Sequence, residues 1–119
     1  MNNLAHDRHI NKDMQACIEA CNNCHQTCLH TAMMHCLAVG DKHVEPAHFR
    51  LLMNCAEICE TSTHFMLSGS AFHKDICAIC AKICDACAAS CDEVGDMEAC
   101  VVACKACADS CRKMSAAIM

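Results

Sequence analysis

Residues 74–91 read KDICAICAKICDACAASC, and the five cysteines in this stretch, Cys77, Cys80, Cys84, Cys87 and Cys91, follow intervals of 3, 4, 3 and 4. Alternating steps of three and four average 3.5 residues, the period of a buried helix seam. The residues between them are Ala, Ile, Lys, Asp and Ser, with no Gly or Pro until Gly95. The stretch therefore predicts a helix whose inward stripe is made of sulfur.

The same pattern recurs on both sides. Cys17, Cys21, Cys24 and Cys28 are spaced 4, 3 and 4, and Cys100, Cys104, Cys107 and Cys111 repeat those intervals. Cys55 and Cys59 stand four apart in a further segment, and Cys36 falls slightly off the strict stripe. The seam is extended at its ends by Ile10, Met14, Leu52, Met66, Met97, Met114 and Ile118. Only three Gly and one Pro interrupt the chain. Gly40 with Asp41, Pro46, Gly69 and Gly95 divide it into helices predicted at roughly 11–38, 46–67, 71–93 and 97–117. Pro46 suits a first helical turn, where its missing N–H costs nothing, and Asp96 is expected to cap the last helix. Short connections between long helices favour an all-α, antiparallel, up-down-up-down four-helix bundle. At 119 residues this is one domain, 1–119, with 1–10 as an N-terminal extension.

Composition narrows the partners. The net charge is −5 with histidines neutral, and no basic stripe is present, which argues against nucleic acid. No run approaches the ~18 apolar residues of a membrane span, and the polar start MNNLAHDRHINKD lacks a secretory apolar stretch. The expected location is the cytoplasm, where thiols stay reduced. With three Phe, no Trp and no Tyr, the core must be filled by something small, and free cysteine packs as a small hydrophobe.

In-register cysteines on a helix have Cβ atoms about 5–6 Å apart, too far for a disulfide, which needs about 3.5–4.5 Å. They are well placed for a metal between two sulfurs. Soft thiolates select Cu(I), zinc or iron–sulfur clusters. Rows of thiols on straight helices offer pairs and triples more readily than zinc tetrahedra, and one thiolate per Cu(I) leaves a buried core neutral. A zinc or general soft-metal thiol buffer is the alternative. An iron–sulfur carrier would hold its clusters on irregular loop cysteines such as C-x₂-C-x₂-C-x₃-C-P, a run missing here. A thiol oxidoreductase would need a βαβ setting, and no nucleophile–base pair stands out, so no enzymatic activity is expected. Cysteine as mere filler is disfavoured, since alanine or leucine would serve without oxidation risk.

ACIEACNNCHQTC (16–28), KDICAICAKICDACAASC (74–91) and ACVVACKACADSC (99–111) closely resemble the cytosolic four-helix-bundle copper storage proteins. The resemblance covers nearly the whole chain from about residue 14. It implies a homotetramer of bundles, each storing many Cu(I) ions, bound mainly by cysteine pairs within a helix. The ligands it implies are the cysteines named above, with pairs such as Cys17/Cys21, Cys24/Cys28, Cys55/Cys59, Cys80/Cys84, Cys87/Cys91, Cys100/Cys104 and Cys107/Cys111. His48, one heptad before Cys55 where a further thiol is expected, is the added candidate. Antiparallel tracing gathers His35, Cys36, His48, Cys91 and Met97 at one end and Met14, Met66, His73 and Met114 at the other. His6, His9, His25, His30, His43 and His64 are expected in solvent or at subunit contacts, and Glu19, Glu57, Glu60, Asp85, Asp92, Glu98 and Asp109 on wet faces.

Overall fold

A computed structural model describes residues 11–116; Ile10, Ile118, His6 and His9 lie outside them. The described residues form α1 (Lys12–Thr31), which runs on through a π-helical turn (Ala32–Cys36) and a last α turn (Leu37–Val39), then α2 (Pro46–Leu67), α3 (His73–Val94) and α4 (Glu98–Ala116), with a 3₁₀ turn at Asp41–Val44. No strand occurs among them. The helix boundaries fall within a few residues of the expected ones.

Local chemistry sets the ends. Asn11 caps α1 by accepting from the Met14 N–H at 2.8 Å, and Glu45 accepts from the His48 N–H at 3.0 Å, with Pro46 opening α2. Gly40 and Gly95 close α1 and α3 at φ 74° and 84°, with ψ in a region that side chains rarely reach. Asp96 does not cap α4. The helix begins at Glu98, so Asp96 lies one residue too far out, in the left-handed region at φ 58°.

The π turn explains why Cys36 looks out of phase. A strict heptad after Cys28 points to His35. One extra residue wound into Ala32–Cys36, with the Leu37 N–H bonding to the Ala32 carbonyl, delays the stripe by one position. Cys36 thereby returns to the interior and is fully buried.

Consecutive helices pack side by side, and α1 also packs on α4. Contacts pair rising numbers on one helix with falling numbers on its neighbour. Cys17 meets Cys111 while Cys28 meets Cys104, and Cys55 meets Cys84 while Cys59 meets Cys80. α1 is therefore antiparallel to α4, and α2 to α3. Ala56, Ala81, Ala88, Ala103 and Ala108 are buried beside the sulfur stripe, where their small side chains let the helices approach. Outside, Arg112 pairs with Asp85 on α3 and with Asp109 on its own helix. Such exposed pairs are screened by water and contribute little, so the interior holds the bundle. No described helix is long and apolar enough to cross a membrane.

Candidate metal centre

Every one of the sixteen cysteines is free and no more than 1% exposed. The seam predicted from 3/4 spacing is therefore real on all four helices, and its sulfurs meet in the middle. The shortest contacts cross between helices: Cys21 to Cys107 and to Cys111, Cys28 to Cys104, and Cys59 to Cys84 and to Cys107, each at 3.6 Å. Within single helices, Cys24–Cys28, Cys80–Cys84 and Cys87–Cys91 are separated by 3.9, 3.8 and 4.0 Å. These distances are far above the ~2.05 Å of a disulfide. With metal–sulfur bonds of about 2.3 Å, three sulfurs around one ion stand about 4.0 Å apart, close to what is observed.

The sulfurs gather into overlapping groups whose atoms all lie within 4.8 Å of one another: Cys21/Cys80/Cys107/Cys111, Cys24/Cys28/Cys55/Cys104, Cys24/Cys55/Cys59/Cys84, Cys59/Cys80/Cys84/Cys107 and Cys17/Cys77/Cys111. Helical spacing alone could show the pairs along each helix but not these groups, because they depend on how the helices are set against each other. Cys24, Cys55, Cys59, Cys80, Cys84, Cys107 and Cys111 each belong to more than one group. The sulfur interior is one connected body rather than a set of separate cages.

Its titration is collective. A thiolate at Cys24 is held below the ordinary thiol range, chiefly by the Cys104 thiol, whereas Cys28 is held above it, chiefly through Cys100, with burial adding to the rise. Cys36, apart from the main body, is raised by burial and then by the Cys100 charge.

One end of the bundle carries nitrogen donors. His48 is buried, its Nδ1 hydrogen-bonded to Ser90 Oγ at 2.7 Å and its Nε2 without a partner. His43 overturns the expectation of solvent or a subunit contact. It is 5% exposed, with Nδ1 3.9 Å from Cys36 Sγ and its ring edge-on to His35. The 3₁₀ turn Asp41–Val44 folds it inward, and nothing in the hydrophobic period signals that. His25 is half-buried and donates to the Ala56 carbonyl at 2.9 Å, while His30 and His64 are exposed. Met97 and Cys91 are buried at the same end, beside a cleft of about 230 Å³ lined also by Asp92, Asp96 and Glu98. At the opposite end Met14, Met66 and Met114 are buried and close the core, and the His73 Nδ1–H donates to the Ser70 carbonyl.

The family model described as copper storage protein matches residues 10–116. The chain belongs to the copper storage protein family. The Nmul_A1745 protein of Nitrosospira multiformis has a similar crystal structure, with 60% identity, a TM-score of 0.87, and 88% of this chain and 96% of that one covered. The Cu(I)-bound copper storage protein BsCsp3 is 39% identical with a TM-score of 0.82, over 88% of this chain and 100% of the other. Among curated sequences, the uncharacterized cysteine-rich protein YhjQ of Bacillus subtilis (strain 168) is 40% identical over 77 residues, 65% of this chain and 70% of that protein.

Proposed function

We propose that this copper storage protein takes up many Cu(I) ions through the thiolates of its interior and holds them in reserve. The observation that carries the reading is the continuity of the sulfur body: groups contributed by all four helices share members, with little but sulfur facing inward along most of the length. Four thiols within 4.8 Å also fit a zinc tetrahedron. Charge separates the two ions. Each isolated zinc tetrathiolate would bury two net negative charges, whereas Cu(I) with one thiolate per ion is neutral. The ligands proposed are the fifteen connected cysteines, from Cys17 to Cys111, with Cys36 and His48 at the nitrogen-bearing end. Capacity is on the order of one ion per cysteine, from the softness and bridging capacity of thiolate.

Copper is cargo here, and the protein's part is to bind and release it without catalysis. The end that carries His48, His43, Cys91 and Met97 is the proposed mouth, because there the interior thiols lie next to open clefts. The reduced thiols suit the cytoplasm. Exposed apolar side chains at Met34, Leu37, Phe72, Ile79 and Val102 offer faces that a homotetramer would bury.

An anaerobic Cu(I) titration against a competing chelator tests the reading. The expected result is uptake of a dozen or more ions per chain before the chelator colours, unaffected by equimolar Zn(II). Uptake of four or fewer, or displacement of Cu(I) by Zn(II), would overturn it.

A further inference from the structure

Antiparallel register carries the inward stripe past its last cysteines. Cys55 meets Cys84 and Cys59 meets Cys80, so the next inward pair on α2 and α3 is Ser62 with Cys77, and the one after it Met66 with His73. Cys17 meets Cys111 across α1 and α4, and the next pair there is Met14 with Met114. The last thiol group, Cys17/Cys77/Cys111, is thus followed by a rung of three thioethers and one imidazole. From these four side chains we infer that the end of the bundle opposite the mouth holds one Cu(I) ion in a separate soft site, formed by Met14, Met66, Met114 and His73 Nε2. The inference rests on the store proposed above and adds to it a position built from neutral ligands alone.

His73 is the residue that turns a methionine plug into a site. It stands four residues before Cys77 on the α3 stripe, which sets the two Cβ atoms about 5–6 Å apart. Its Nδ1 lies 2.9 Å from the Ser70 carbonyl oxygen. That oxygen can only accept, so the proton is on Nδ1, and Nε2 of the neutral ring keeps its lone pair. A ring held from behind by a backbone carbonyl is the arrangement of a metal-ligating histidine. Nε2 is buried and has no hydrogen-bond partner. An acceptor left in that state is costly, and a bound cation would satisfy it. Met14, Met66 and Met114 are buried in the same core as the cysteines.

The donors choose the ion, and their charge sets its grip. Thioether sulfur is a soft ligand that selects Cu(I), and imidazole also suits copper. Among thiolates the ion is neutralised; here it keeps its positive charge in a buried place and is held more weakly. No ligand proton has to leave when it binds. The position is therefore the last to fill and the first to empty, with the Cys17/Cys77/Cys111 group as its neighbour in the interior. His73 is only half-buried, so the far side of its ring is open to solvent, and an acceptor with soft ligands would draw copper from this end.

The test follows the methionine methyl signals of protein carrying 13C-methyl methionine by NMR during anaerobic loading with Cu(I). Met14→Leu, Met66→Leu and Met114→Leu, swaps of near-equal volume, assign the signals. The three signals are expected to move little while the interior fills and then to shift together with the final ion. That ion should be the first removed by a chelator of modest affinity. His73→Phe should abolish the shared shift and lower the count by about one ion per chain, whereas His64→Ala, on the exposed face of α2, should leave both unchanged. Helical circular dichroism reports whether each variant folds, and His73→Gln gives the same reading if the phenylalanine variant does not. Full loading with the three methyl signals unmoved would overturn this site and leave the store standing. A shared shift that survives loss of the imidazole would overturn it as well. Uptake of four ions or fewer would overturn the store, and with it the site that depends on it.

Discussion

Cys21 on α1 and Cys107 on α4 are 86 residues apart in the chain, yet their sulfurs lie 3.6 Å from each other. Contacts of this kind, repeated between helices, set how many ions each thiol can serve. Cys59 belongs to two of the sulfur quartets, and Cys77 to a trio at the far end. Cys59→Ser is expected to lower the copper count by about two ions per chain and Cys77→Ser by about one, in keeping with the loss of a soft ligand from each group. Metal analysis after anaerobic loading and desalting measures this, and equal losses would argue against shared sulfurs.

Ser62 continues the α2 stripe, since Cys55, Cys59, Ser62 and Met66 are spaced 4, 3 and 4. It is fully buried and its Oγ has no hydrogen-bond partner. Ser62→Cys should add a thiol to the interior and raise capacity by about one ion. Removing the unsatisfied hydroxyl should also stabilise the empty protein by about 1–3 kcal/mol, visible as a higher Tm. A lower Tm with unchanged capacity would contradict this.

The pH dependence of the empty protein follows from thiol burial. Cys36 is raised, first by burial and then by Cys100, and a closed sulfur core cannot hold many negative charges at once. Below the ordinary thiol value of about 8.5, Cys36 is protonated in the folded and the unfolded chain, and its contribution to stability is fully present. Above it the unfolded chain releases the Cys36 proton that the folded chain keeps, and that contribution falls. The Tm difference between the reduced, metal-free protein and its Cys36→Ala variant should therefore be level near neutrality and shift against the cysteine from about pH 8.5 upward. A difference that moves in favour of the cysteine toward about pH 10 would show that this position favours thiolate.

The π turn accommodates one residue more than a continuous α stripe needs. Deleting Met34, 64% exposed within that turn, should leave an unbroken α-helix in which the cysteine now numbered 36 still faces inward, seven residues after Cys28. The expected protein is folded, with a copper count within about one ion of the original. Loss of folding would mean that the turn is required by packing.

The helices, their approximate ends and the inward direction of the sulfurs were legible because period 3.5 is a property of each segment alone. Even Cys36, read as off the stripe, was flagged by its phase; only the π turn shows why. What spacing could not supply were relations between segments. The quartets depend on the relative setting of helices, and His43 is buried by a short turn with no period of its own. Asp96 looked like a cap because Asp before a helix usually is one, and it failed by a single residue.

Because seven cysteines, Cys24, Cys55, Cys59, Cys80, Cys84, Cys107 and Cys111, each serve more than one group, a partly filled chain is not a row of independent compartments, some taken and some vacant. Each ion deposited changes the binding strength offered to the next. The free Cu(I) activity in equilibrium with such a protein would then slope with the degree of filling instead of resting on a plateau. The amount already banked would itself set how readily the next ion is surrendered.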